Sequence, residues 1–256
     1  MQNFSPLSIL VHDQARVYGN RTALRYRDYS VGIWKDISWN EFSSRVRELS
    51  NAMLSIGVEE QENMAVFSQN MPEVLMVDFA AYAIRAVTIP MYATSSEMQV
   101  KYIVSDASIR YIFVGEQEQY DIAFRVLKLG SSLEKLIIFD RNVQRNPEDN
   151  ISIYLDDFRK GHDNRYEEEI ERRTKAVQSQ DLANILYTSG TTGLSKGVML
   201  THEMYNSALS AHYGVLPLSD KDIILNFNTA DTKCRKVVFH IFIVFMMRRV
   251  VGYDTI

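Results

Sequence analysis

The sequence predicts an α/β fold, a mostly parallel sheet with flanking helices, and three observations carry that reading. Between residues 22 and 213, short β-branched and aromatic runs alternate with amphipathic helical windows. Four strand candidates recur with a helix between each pair, the βαβ pattern whose strands lie parallel. Apolar residues make up 46% of the 256 and charged residues 23%. That is the balance of a chain with a packed core, not of a disordered, collagen-like or disulfide-stapled one.

The elements follow in order. Ser38-Trp39-Asn40-Glu41 has the form of a capping box, with the Ser38 oxygen accepting the Glu41 N–H and the Glu41 side chain reaching back. Phe42, Val46, Leu49, Met53 and Ile56 then share one helical face, and Gly57 suits the C′ stop. Residues 64–67 read as a buried strand. Asn70-Met71-Pro72-Glu73 caps the next helix, with Pro72 in its first turn. A strand over 86–89 is expected to halt at Pro90, and a helix over 97–106 leads into a strand at 110–114. Another helix, 119–129, leads into a strand at 136–139. Residues 140–150 (DRNVQRNPEDN) form a polar loop. In the charged stretch 162–176, Glu168/Arg172, Glu169/Arg173 and Glu171/Lys175 fall four apart, as on a solvated helix face rather than a binding patch.

The net charge of −4 argues against a nucleic-acid partner. The single cysteine, Cys234, allows no internal disulfide and points to a reducing, cytoplasmic setting. The first basic residue is Arg16, and no positive-then-apolar leader precedes it. The apolar stretch 237–247, broken by His240, is shorter than the roughly 20 residues a membrane span needs. Peripheral contact with the inner membrane is left open.

The chemistry concentrates between an apolar strand end, Ile185-Leu186-Tyr187, and the strand opened by Gly197-Val198-Met199-Leu200. There Thr188-Ser189-Gly190-Thr191-Thr192-Gly193-Leu194-Ser195-Lys196 interleaves hydroxyls and glycines with one lysine. Glycines let backbone N–H groups turn together around an anion, hydroxyls add short donors, and Lys196 adds a mobile charge. A polyphosphate needs this set. It is not a Walker loop, which places Gly directly before Lys and a hydroxyl directly after. Composition alone leaves a polar hairpin equally open.

The string from Tyr187 to His202 closely resembles the phosphate-loop signature of adenylate-forming enzymes, YTSGTTGxPKGVxxTH; Ser195 stands where proline is usual. Upstream, Thr88-Ile89-Pro90-Met91-Tyr92-Ala93-Thr94-Ser95-Ser96-Glu97 and Tyr102-Ile103-Val104-Ser105-Asp106 resemble the long-chain fatty acyl-CoA synthetase branch. The resemblance covers residues 5–227, and its specific part is 187–202. It implies a partial AMP-binding N-terminal domain over 1–227 and a two-step ligase with small-molecule substrates. A fatty carboxylate attacks the α-phosphate of ATP, and the coenzyme A thiol then takes the acyl group. Carried over by position, Thr188, Ser189, Gly190, Thr191, Thr192, Gly193 and Lys196 would hold the β- and γ-phosphates, with Thr188 on the Mg²⁺ side. The fragment would be inactive by itself. A non-catalytic phosphate-binding module and an amino-acid- or aryl-acid-adenylating enzyme are the alternatives. His202 belongs to the motif with a structural or capping role, while His12, His162 and His212 lack metal spacing.

The family's adenine-stacking Tyr-Gly-x-Thr-Glu segment, ribose Asp and C-terminal catalytic Lys domain are not recognisable. Residues 228–256 read as an atypical tail, with five basic against two acidic side chains over 229–256. The family continues as Leu-Pro-Leu-(Ser/Thr)-His-x-x-Glu-Arg. The codons of residues 229–238 read one base later permit Pro-Leu-Thr-Gln-Ser-Val-Glu-Arg-Trp, so the tail is expected to be a frameshift product.

Overall fold

The computed structural model describes residues 6–28, 31–160, 165–188, 195–213, 215, 224–227 and 250–254. In chain order, α1 (Leu7–Tyr18), β1 (Thr22–Asp28), β2 (Ile33–Ser38) and α2 (Trp39–Ser55) come first. β3 (Asn63–Phe67), α3 (Pro72–Ala83), β4 (Val87–Met91), α4 (Glu97–Asp106), β5 (Tyr111–Val114), α5 (Gln117–Lys128) and β6 (Lys135–Ile138) form the alternating stretch. β7 (Ile153–Tyr154), α6 (Leu155–Arg159), α7 (Glu167–Ala176), β8 (Leu182–Thr188), β9 (Lys196–Thr201) and α8 (His202–Tyr213) follow, then β10 (Ile224–Phe227) and β11 (Val250–Asp254).

A seven-stranded sheet runs β7-β6-β5-β3-β4-β8-β9, every neighbouring pair parallel except β8 with β9. Alternate strand residues feed two cores. Met64, Val66, Tyr111 and Phe113 face one shared with α1, α2, α3 and α7. Ala65, Phe67, Ile112 and Val114 face the other, beneath α4 and α5. Both faces are thus covered, as an all-apolar parallel strand requires. A smaller sheet runs β10-β11-β1-β2, with β11 parallel to both β10 and β1.

The helix ends show why the elements begin and stop where they do. Ser38 Oγ accepts the Glu41 N–H, but the Glu41 carboxylate pairs with Arg45 instead of closing the box. At the other end Gly57, at φ +82°, donates to the Leu54 carbonyl and Val58 to the Met53 carbonyl, a Schellman stop. The reciprocal box appears on α4 instead, between Ser96 and Gln99.

Two further expectations are corrected, and a third holds in part. Asn70 does not cap α3: Met71 is the N-cap residue, and Asn70 is buried. Pro90 does not halt β4, whose pairing with β3 continues through Val66–Pro90 and Phe67–Met91. On its other side β4 pairs with β8 at Thr88–Asn184, so the missing proline N–H falls beyond that ladder. α7 is solvated on one side only: Glu168, Glu171, Arg172 and Lys175 are exposed, while the helix packs on α2 and α3 with Ile170 fully buried. Arg173 pairs with Glu169 and donates to the Val58 and Ile84 carbonyls at 3.0 and 3.3 Å. Thr174 donates to the Ala83 carbonyl at 2.8 Å.

Candidate functional site

β8 emerges at the carboxyl end of the parallel sheet, where α/β folds bind ligands, and turns back as β9. The ladder pairs Thr188 with Lys196 and Tyr187 with Gly197. Two of the seven expected phosphate ligands are therefore placed directly opposite each other at the loop's mouth. Thr188 is half-buried and Lys196 exposed. Ser189, Gly190, Thr191, Thr192 and Gly193 lie outside the described residues.

The strand pair needs glycine at 197 for space. A Cβ there would lie 2.8 Å from Ile185 Cγ2 and 3.4 Å from the Tyr187 ring. Tyr187 in turn is 8% exposed and donates its hydroxyl to Asp106 Oδ2 at 2.5 Å. Burial, then the bond to Asp106 and its charge, hold that phenol protonated well above its ordinary range. Tyr102, one turn earlier on α4, meets the Tyr187 ring edge-on at 6.3 Å and donates to the Ser195 carbonyl at 3.1 Å.

Behind β8 lies a buried polar chain. Asn184, fully buried, accepts the hydroxyls of Tyr82 and Tyr205 at 2.7 Å each and donates to Thr88 Oγ1 at 2.6 Å. Thr88 donates to Asp78 Oδ1 at 2.5 Å. Asn184 thereby ties β8 to β4, α3 and α8. At the strand's other end, Arg85 holds Asp181 through paired bonds of 2.9 and 3.0 Å and also pairs with Glu60. Burial raises the Asp181 carboxyl, and the Arg85 guanidinium and the Gln178 N–H outweigh it and bring it below its ordinary value.

The motif's His202 is buried. It opens α8 at 3% exposure, edge-on to Tyr82 at 5.6 Å, and burial pulls it down to about 4. The cap is Thr201, whose hydroxyl accepts the Met204 N–H at 3.3 Å. His12 is exposed on α1, and His162 lies outside the described residues.

No group of three or more His, Cys, Asp or Glu able to hold a metal occurs among the described residues. Thr188 offers one hard oxygen beside an ammonium. That set fits Mg²⁺ delivered on a polyphosphate, which brings phosphate and water ligands of its own. A cavity of about 730 Å³ lies elsewhere, floored by Leu7, Val11, Val46 and Phe79, with no lining residue from α4, β8 or β9. No helix among the described residues is long and apolar enough to cross a membrane.

Sequence reasoning missed Asn184, Tyr102, Asp106 and Arg85 as supports of the loop. The four-residue spacing of Tyr102 and Asp106 puts both on one side of α4, the signal that was available.

Known proteins give the context. The AMP-binding enzyme family profile matches residues 11–244, past Phe227 into the region set apart as a tail. The chain is 31% identical over 176 residues to the long-chain-fatty-acid–CoA ligase FadD15 of Mycobacterium bovis, covering 69% of this chain and 28% of that protein. Among solved structures, the long-chain-fatty-acid–CoA ligase FadD1 of Archaeoglobus fulgidus superposes with a TM-score of 0.75 at 18% identity, over 98% of this chain and 47% of that one. The anthranilate CoA ligase AuaEII, in complex with anthranoyl-AMP, also reaches 0.75 at 17% identity, over 100% and 46%. The chain thus spans less than half the length of each of these proteins. With the profile covering most of the chain and the loop set at the carboxyl end of β8, this protein belongs to the AMP-binding, adenylate-forming enzyme family.

Proposed function

We propose that the chain supplies the ATP-phosphate grip of a long-chain fatty acid–CoA ligase. The observation that carries this is the pairing of Thr188 with Lys196 across the mouth of the loop, in a chain 31% identical to a long-chain-fatty-acid–CoA ligase. Attack of a carboxylate on the α-phosphate builds charge on the phosphoryl oxygens and the departing pyrophosphate. Preorganised N–H groups, hydroxyls and an ammonium stabilise that charge. Lys196 and the hydroxyls of Thr188, Ser189, Thr191 and Thr192 are assigned to the β- and γ-phosphates, with Gly190 and Gly193 allowing close backbone approach. Mg²⁺ supplies charge neutralisation when it enters with ATP. Coenzyme A is the second-step substrate, and the reducing cytoplasm is the assigned location.

Adenylation also needs an adenine platform and a group that orients the carboxylate, and orientation alone is worth about 7–11 kcal/mol of barrier. The purified chain with ATP, Mg²⁺, palmitate and coenzyme A is therefore expected to form no acyl-CoA; turnover above a no-enzyme control refutes this. Where sequencing finds a second reading frame that extends the chain, the acid class is tested on that product, with palmitate, anthranilate and aspartate offered in parallel. Palmitate is expected to give the highest turnover. Preference for anthranilate would favour the aryl-acid reading, which the equal structural likeness to an anthranilate CoA ligase keeps in view.

A further inference from the structure

We infer that α4 is the positioning element of the phosphate loop, with Tyr102 and Asp106 holding its two ends from a single helical turn. This rests on the phosphate reading of the loop and adds residues outside the signature. The β8–β9 ladder ends at Thr188–Lys196, and seven residues bridge that gap.

The two strands are held separately. On the outgoing side, Tyr187 donates to Asp106 at 2.5 Å, which fixes the residue preceding Thr188. On the returning side, Tyr102 donates to the Ser195 carbonyl at 3.1 Å. That carbonyl belongs to the planar Ser195–Lys196 peptide, so holding it sets the direction in which Lys196 leaves the loop. The edge-on contact of Tyr102 with Tyr187 at 6.3 Å joins the two anchors. Tyr102 and Asp106 are positioning residues: Tyr102 touches the last loop residue, Asp106 touches the strand residue before Thr188, and neither is assigned to phosphate. Their spacing makes the clamp rigid, because both groups sit on one turn of a helix whose start is closed by the Ser96–Gln99 box.

Tyr102→Phe removes one oxygen and leaves the ring, and Asp106→Asn keeps an acceptor that Asp106→Ala deletes. Hydrogen exchange is measured first on the nucleotide-free chain. Exchange over residues 188–197 is expected to rise about fivefold in Tyr102→Phe and Asp106→Ala, the equivalent of one lost hydrogen bond, and to return in Asp106→Asn. β3 and β5 should exchange as in the parent. Titration with inorganic tripolyphosphate should show about fivefold weaker binding in the same two variants. Unchanged exchange over 188–197 overturns the inference; so does faster exchange with unaltered affinity, or a rise shared equally by β3 and β5. If the parent chain binds no tripolyphosphate, the phosphate reading fails, and the exchange data alone decide whether α4 holds the hairpin.

Discussion

Asn184→Ala removes the centre of the buried chain behind β8, and its cost can be worked from the bonds it breaks. The side chain is fully buried and makes four hydrogen bonds: it accepts the Tyr82 and Tyr205 hydroxyls at 2.7 Å each and donates to Thr88 Oγ1 at 2.6 Å and to the Thr88 carbonyl at 3.3 Å. Alanine deletes the acceptor that two buried phenols share, in a region where burial already holds Tyr82 protonated well above its ordinary range. An orphaned buried group costs roughly 1–3 kcal/mol, and partial relaxation recovers some of it. Loss of the acceptor shared by two hydroxyls, with a small void, brings the loss to about 3–5 kcal/mol. That is a large part of the roughly 5–15 kcal/mol that stabilises a folded domain. Tyr205→Phe removes one donor while Asn184 keeps its bond to Tyr82, so its cost should be about 1 kcal/mol. Urea unfolding followed by circular dichroism separates the two cases. A loss under about 1 kcal/mol for Asn184→Ala, or one equal to that of Tyr205→Phe, would refute the view that this network holds β8.

Three other outcomes are expected. Burial pulls His202 down to about 4 from an unfolded value near 6.5, so below pH ~6.5 the unfolded chain takes a proton that the fold refuses. Stability therefore falls as pH drops from ~6.5 to ~4, by up to about 1.4 kcal/mol per unit from this group. His202→Leu should flatten that limb when parent and variant are unfolded in urea across the range; parallel curves contradict it. Gly197→Ala should cost about 1–3 kcal/mol by overpacking, because its Cβ would lie 2.8 Å from Ile185 Cγ2. Ile185→Ala in the same chain should recover part of the loss, and additive losses would place the strain elsewhere. Genomic sequencing past the Phe227 codon should find a second frame that stays open into a Tyr-Gly-x-Thr-Glu segment. A frame that closes at once means the tail is not a frameshift product.

Much of the parallel sheet was legible because its strands are short apolar runs set between helices with their own start and stop signals. The helix over 97–106 was located to the residue, and β5, β6 and β3 within one residue at each end. Local rules failed where a distant partner decided the matter. Proline bars a strand only where its N–H is needed, and nothing near Pro90 says that β8 pairs no further than Thr88–Asn184. Of the α7 charges, Arg173 turns inward, and the sequence did not show it because the carbonyls that accept it lie 115 and 89 residues away. The same holds at the site. The signature singled out Thr188 and Lys196, whereas the bonds from α4 to the hairpin span 81 and 93 positions and leave in the sequence only the four-residue spacing of Tyr102 and Asp106.

The central claim is that the loop mouth between Thr188 and Lys196 grips polyphosphate, and calorimetric titration of the purified chain with MgATP tests it most directly. Binding should weaken as salt is raised, since charge carries it. Lys196→Ala should lower the affinity tenfold or more, about 1.4 kcal/mol, while Lys175→Ala on α7 should leave it unchanged. Tripolyphosphate should compete with MgATP and adenosine should not. Equal effects of the two lysine substitutions, or competition by adenosine alone, would contradict a phosphate grip at this loop.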